Sequence, residues 1–218
     1  MHIEISKKLK KANPDLLLGI VEATIVVENG SSVLWKEIES KISEISKNKS
    51  VESFGFMPEI TAVRNTYKRL GKDPSRYRGS AEALVKRILQ GKGLYKVNNV
   101  VDINNLVSIE TCHPVGSYDL NNIETPIVFD VGDQGESYKG IGKEVINIAE
   151  LPVFRDAKGP YGSPTSDSER AMITSNTSRI IMVIISFTGT GIDDGVRYTT
   201  DLLKKYASGQ IIDITISS

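Results

Sequence analysis

Arg179-Ile180-Ile181-Met182-Val183-Ile184-Ile185-Ser186-Phe187 is the most strongly apolar run in the 218-residue chain. Its β-branched content predicts a strand, and the lack of polar alternation predicts a central strand buried on both faces. Residues 16–27 have the same texture and stop at Asn29-Gly30, a turn signal, so they read as a second buried strand. Beyond the central run, Asp193 or Asp194 is placed to cap a helix reaching about Ala207. Gly209 ends it, and residues 211–216 close the chain as a final strand.

Helical signals fill the first half. Ser31 or Ser32 is placed to cap a helix to about Lys47, with Val33, Leu34, Ile38, Ile42 and Ile45 on one buried stripe. Pro58 suits the first turn of a second helix running through Leu70, and Ser80 begins a third that ends near Gly91. Residues 97–109 mix Asn98, Asn99, Asn104 and Asn105 with a regular apolar series, which predicts a helix buried on one side. Asparagine is poor inside helices, so side-chain hydrogen bonds must matter there. Short strands are expected at residues 127–131, 145–148 and 152–155. No period of 20–50 residues repeats. The chain therefore reads as one α+β domain spanning residues 1–218, with mixed β-sheets and flanking helices.

The formal net charge is zero, but the charges are segregated. Between Arg64 and Lys96 ten basic residues stand against two acidic ones, a balance of +8, while residues 97–169 carry −8. The basic stretch can supply phosphate contacts to a nucleic acid or can form an ordinary solvated helical face. No apolar run reaches the roughly 18–20 residues of a membrane span, and the first residues lack a basic-then-apolar leader. With Cys112 the single cysteine and His2 and His113 the only histidines, a zinc site is not expected. These features predict a cytoplasmic protein with neither metal nor cofactor and no membrane partner.

Two segments have the residues for ligand binding. Residues 111–119 put His113, Pro114, Gly116, Ser117 and Tyr118 into an expected turn, where His113 can orient a water or bond a carbonyl. Residues 159–170 combine Gly159, Gly162 and Ser163 with further hydroxyls and exposed amides able to hold an anion or a ribose. Each segment also reads as a plain connection shaped by glycine and proline. There is no Gly-x-Ser-x-Gly elbow, no phosphate-binding Gly-Lys-Ser/Thr loop and no His-Glu-x-x-His helix.

The run Asn98-Asn99-Val100-Val101-Asp102-Ile103-Asn104-Asn105-Leu106-Val107, followed by His113-Pro114-Val115-Gly116-Ser117-Tyr118-Asp119-Leu120, resembles the B3/B4 domain of the phenylalanyl-tRNA synthetase β subunit. The likeness extends to its free-standing branch and is strongest over residues 55–190, with residues 1–54 as an N-terminal strand and helix of the same unit. In the synthetase this domain is an editing module, so the resemblance implies a pocket for the aminoacylated 3′ end of tRNA and hydrolysis of its ester. It places Asn104 where the family has a pocket threonine, Pro114 on the pocket proline, and Gly159 and Gly162 on the glycines of a G-x-x-G loop.

Two family groups have no match. The editing histidine falls on Gly116, and no acid lies between Arg179 and Ile192 to replace the family's glutamate. His113, Asn104 and Ser117 are the candidate catalytic residues, with the cluster Asp167-Ser168-Glu169-Arg170 as a further source of groups. Arg69, Arg76, Arg78 and Lys86 are the candidate tRNA contacts. Two readings follow from the resemblance: a free-standing aminoacyl-tRNA deacylase acting in trans, or a non-catalytic module that binds RNA or an amino-acid-like ligand. Oligomeric state is not legible.

Overall fold

A computed structural model describes residues 1–218. The elements run β1 (Ile3–Ile5), α1 (Lys7–Ala12), β2 (Leu17–Thr24), α2 (Ser32–Asn48), α3 (Val51–Gly55), α4 (Pro58–Arg69), α5 (Ser80–Leu89) and α6 (Asn99–Thr111). The second half follows with β3 (Val115–Asp119), β4 (Ile127–Val131), β5 (Ser137–Lys139), β6 (Val145–Asn147), β7 (Pro152–Asp156), β8 (Gly159–Gly162), β9 (Arg179–Ser186), α7 (Ile192–Tyr206) and β10 (Gln210–Ser217). The fold is α+β. No helix is long and apolar enough to cross a membrane.

Strand β9 is central, in a sheet of order β10-β2-β9-β3, and pairs antiparallel with both neighbours. Side chains alternate along it. Ile180, Met182 and Ile184 enter a core shared with helices α2, α5, α6 and α7, while Ile181, Val183 and Ile185 enter a second core. That second core lies against another sheet, of order β1-β4-β7-β8, through Phe129, Val153 and Phe154. A layer of helices, then two sheets, explains why this strand has no polar face. Helix α7 crosses β2 closely because Gly19 has no side chain, since a Cβ there would stand 2.7 Å from Val196.

Local signals account for most helix ends. The Ser31 hydroxyl accepts from the Leu34 amide to open α2, and Asn98 does the same for Val101 in α6. Asp193 and Asp194 do not cap α7. Its cap is Gly191, at φ 74°, and the two acids occupy the first turn, where their charge complements the helix dipole. On α2, Trp35 is buried and Val33 exposed, so the stripe lies one position round from the expected one.

Two expected loops are partly strands. Residues 115–119 pair with Ile184 through Ile180 as the edge strand β3, and residues 159–162 form β8 against β7. Elements absent from the sequence reading, β1, α1, α3 and β5, are only three to six residues long; β1 is held by its parallel match to β4, α1 and α3 are opened by serine caps at Ser6 and Ser50, and β5 pairs with β6.

The asparagines of α6 have distinct tasks. Asn99 is fully buried and joins three segments: its Oδ1 accepts from the Glu28 amide at 2.9 Å, and its Nδ2 donates to the carbonyls of Val26 and Tyr206, each at 2.9 Å. Asp102, also buried, accepts from Trp35 Nε1 at 2.6 Å and from the Val97 amide at 3.1 Å. Asn99→Ala would strand several buried backbone groups and is expected to lower the unfolding free energy by roughly 3–5 kcal/mol. Asn105→Ala, on the partly exposed side of the helix, should change it by less than about 0.5 kcal/mol. Urea denaturation of the two variants checks this contrast, and similar losses would contradict it.

Candidate functional site

Helix α6, strand β3 and the segment after β8 enclose a cavity of about 400 Å³. Asn104 and Asn105 face it from α6, Ser117 from β3, Ser80 from the first turn of α5, and Ser163, Thr165, Ser166 and Asp167 from the segment after β8. Val97, Val101, Val115, Met172 and Ile173 supply its apolar wall. Its size falls within the range of small-molecule sites. Asn104 and Ser117 are joined directly, the Ser117 hydroxyl donating to Asn104 Oδ1 at 2.8 Å. That leaves the Asn104 amide nitrogen and the serine lone pairs for a ligand. The Ser80 hydroxyl has no partner in the protein.

The segment after β8 is held rigidly. Ser163 Oγ accepts from the amides of Thr165 and Ser166 and donates to the Ser166 carbonyl. The Tyr67 hydroxyl reaches Thr165 at 2.8 Å from α4, and the Ser80 amide donates to the Pro164 carbonyl at 2.7 Å from α5. Hydroxyl-rich sequence here builds a fixed wall of the cavity.

Asp167 is the single ionisable side chain lining the cavity. Its Oδ1 accepts from the Tyr118 hydroxyl at 2.9 Å and from the Ser163 amide at 3.1 Å. Tyr118 reaches it through a gap made by two glycines. A Cβ on Gly116 would stand 2.3 Å from the tyrosine oxygen, and one on Gly162 would stand 2.5 Å from it. Burial raises the Asp167 carboxyl to about 6, against the opposing pull of its two hydrogen bonds. Burial likewise pushes the Tyr118 phenol well up, so it stays a neutral donor.

The expected site residues divide among several places. Asn104, Ser117 and Ser163 share the cavity. Gly116 and Gly162 lie beside it and make room for Tyr118 rather than for a ligand. Pro114 is buried and its carbonyl accepts from the Ile185 amide, while Gly159 opens β8 at φ 111°; neither lines the cavity.

His113 does not join Asn104. Residues 104 and 111 are already roughly 10 Å apart along α6, and His113 follows the end of that helix. It lines another cavity of about 340 Å³ with Glu59, Glu110, Asp194 and Tyr198. Its Nε2 lies 3.1 Å from the Thr190 carbonyl, which can only accept, so Nε2 carries the proton. Burial lowers its basicity, partly opposed by the Glu59 charge, and favours the neutral ring.

In the acidic cluster only Asp167 faces the cavity. Glu169 pairs with Lys139, and Arg170 forks onto Asp156 with both distances 2.9 Å. Sequence reasoning passed over Ser80, Thr165 and the role of Tyr118. The Gly116-x-Tyr118 spacing did contain a signal, because residues two apart on a strand share a face and the glycine opens space beside the ring.

The basic segment is partly neutralised from within. Glu82 is shared by Arg64, at 2.7 Å, and Arg78, at 3.0 Å. Lys72 is buried, donates to the Ala149 carbonyl and packs over Tyr77. Arg69 donates to the Ala12 carbonyl and borders a separate depression of about 500 Å³ with Lys8, Lys11, Asp133 and Glu150. Lys86 lies beside Arg64 and Glu82, whereas Arg76 is exposed and carries no ion pair.

Comparison with known proteins adds a family relation. Residues 62–208 match the model of the B3/4 domain. Over 107 residues, 48% of this chain, the sequence is 27% identical to the phenylalanine–tRNA ligase beta subunit of Protochlamydia amoebophila (strain UWE25), covering 13% of that protein. Among solved structures, an N-terminal fragment of the phenylalanyl-tRNA synthetase beta subunit from Pyrococcus horikoshii aligns with 99% of this chain and 50% of its own, at 14% identity and a TM-score of 0.48.

The half-buried carboxyl of Asp167 has a measurable consequence. A group whose folded-state pKa is raised contributes stability that is fully present below its unfolded value, about 3.9, and is lost as pH rises through about 6. Asp167→Asn keeps the oxygen that accepts from Tyr118 and Ser163 and removes the charge. It should be more stable than the native protein by about 1–2 kcal/mol at pH 7.5, the two converging as pH falls toward about 4. Thermal or urea unfolding across that range checks the sign, and a destabilised variant at pH 7.5 would contradict it.

Proposed function

The chain belongs to the B3/4 domain family, and from that premise we propose that it is a tRNA-binding protein acting in trans as an aminoacyl-tRNA deacylase. The observation that carries this reading is the cavity itself: Asn104, Ser117, Ser163 and Asp167, from three elements inside the family-matched region, converge on one small-molecule-sized space. An ester of the terminal ribose already has a good leaving group, so the site has mainly to position the carbonyl and a water. The Asn104 amide is available to donate to the carbonyl oxygen, where negative charge develops on attack. Its orientation is fixed by the Ser117 hydroxyl.

The approach of the acceptor end is supported by the chain path. Ser80 lines the cavity, and the exposed Arg76 and the half-buried Arg78 lie just before it, so phosphate contacts there would place the 3′ end at the rim. Residues 1–61 supply β2 and α2 to the same sheet and helical layer, which supports reading residues 1–218 as one working unit.

One observation favours the second reading, a binding module without turnover. Gly116 stands at the family's histidine position, and the space over it is taken by the Tyr118 ring. Amino-acid release from a panel of misacylated tRNAs separates the two. The deacylase reading predicts release from at least one, slowed roughly 10- to 100-fold by Asn104→Ala and less by Ser117→Ala, with His113→Ala near native. Binding without release from any member of the panel would replace it with the module.

Binding has its own signature. The affinity for tRNA should fall with salt, and Arg76→Glu should reduce the slope of log K against log salt by about one or more. Arg78→Glu should weaken binding less, because Arg78 is already paired with Glu82. A slope unaffected by either change would make the basic stretch a solvated surface.

A further inference from the structure

Several carboxylates with little exposure are matched by arginines in this protein. Glu22 faces Arg179, Asp156 faces Arg170, and Glu82 faces Arg64 and Arg78. Asp102, without an arginine, is bonded through both oxygens, to Trp35 and to the Val97 amide. Asp167, on the wall of the cavity, is held differently. Its Oδ1 holds two hydrogen bonds, but Oδ2 has no partner, and no basic side chain forms an ion pair with it.

The groups around it do not supply the missing cation. Tyr118, Tyr138 and Tyr161 are neutral neighbours, and burial pushes each phenol further from ionising. Lys143, the one cation whose charge reaches Asp167, is exposed, donates to Ser166 Oγ at 3.1 Å and makes no ion pair with the carboxylate. Asp167 is half-buried, so a ligand that closes over it and displaces the remaining water leaves its charge to be compensated, and a ligand that brings a positive charge does so. One carboxylate is too few for a divalent ion, which takes several oxygen ligands. No cluster of metal-binding side chains occurs in the structure.

We propose that Asp167 receives the protonated α-amino group of the ligand through its unpartnered Oδ2, making the site specific for aminoacyl groups with a free ammonium. This deepens the aminoacyl-end reading above and rests on it. The other lining groups then set the rest of the ligand class. Val97, Val101, Val115, Met172 and Ile173 accept an uncharged side chain, and Asn104, Ser117 and the unpartnered Ser80 hydroxyl address the ester and ribose oxygens. No second acid faces the cavity to receive a basic side chain. Acylating the amine removes the charge and adds bulk, so N-blocked aminoacyl groups are excluded.

The test uses the intact protein and two amide-linked analogues of an aminoacylated terminal adenosine, 3′-deoxy-3′-(L-alanylamino)adenosine and its N-acetyl derivative, with affinity read by calorimetry. The free amine should bind about 10- to 100-fold more tightly than the acetylated form, the range expected for a hydrogen bond between charged groups. In Asp167→Asn that preference should shrink to about threefold or less. Equal binding of the two analogues by the native protein would overturn the ammonium contact and leave the aminoacyl reading standing. A preference that persists in a folded Asp167→Asn protein would also overturn it. If neither analogue binds, the aminoacyl reading fails and this assignment fails with it.

Discussion

The bond from the Tyr118 hydroxyl to Asp167 depends on two missing side chains. Gly116 lies on the same strand face as the tyrosine, and Gly162 ends β8; a Cβ on either would occupy the space of the phenol oxygen. With both absent, Tyr118 passes between the central sheet and the second sheet, with its ring edge-on to Tyr161 and Phe154. The same contact fixes Asp167, and the Ser163 amide on the same carboxylate oxygen fixes the turn that follows. Core packing and cavity geometry are therefore one problem here. A change at either glycine disturbs the Asp167 carboxylate, which is close to Gly162 in sequence and far from Gly116.

Charge distribution follows a related logic. The neutral total conceals a basic and an acidic half, but in three dimensions much of each is used internally. Glu82 ties two arginines of the basic segment to α5, and Arg155 and Arg170 hold Glu136 and Asp156 in the acidic one. What remains for partners is smaller and more specific than the sequence tally implies: exposed cations such as Arg76 near the start of α5, and one uncompensated carboxylate within the cavity. Asp167 therefore lowers stability at neutral pH in exchange for a charged binding group, a familiar conflict at functional sites.

Much of the architecture was legible where a residue pattern had a single physical solution. The run at 179–187 could be buried on both faces only as a central strand, and the asparagines of α6 had to find side-chain partners, as Asn98, Asn99 and Asn104 do. Residues 115–119 and 159–162 were harder, because their glycines and proline signal turns while their strand character comes from pairing with distant segments. The candidate site was legible in part for the same reason. Asn104, Ser117 and Ser163 were recognisable, but His113 leaves the group because a helix end turns it toward α7, and Asp167 stood out only once its place in the cavity wall and its unpartnered oxygen were visible.

The central claim is that the cavity between α6, β3 and the segment after β8 is where this protein meets its ligand. A crystal structure with the amide-linked alanyl-adenosine bound tests it most directly. The account predicts the alanyl group in that cavity, its carbonyl beside Asn104 and its amine at Asp167. Ligand found instead beside His113 and Glu59, or in the depression at Lys8 and Arg69, with this cavity left empty, would contradict it.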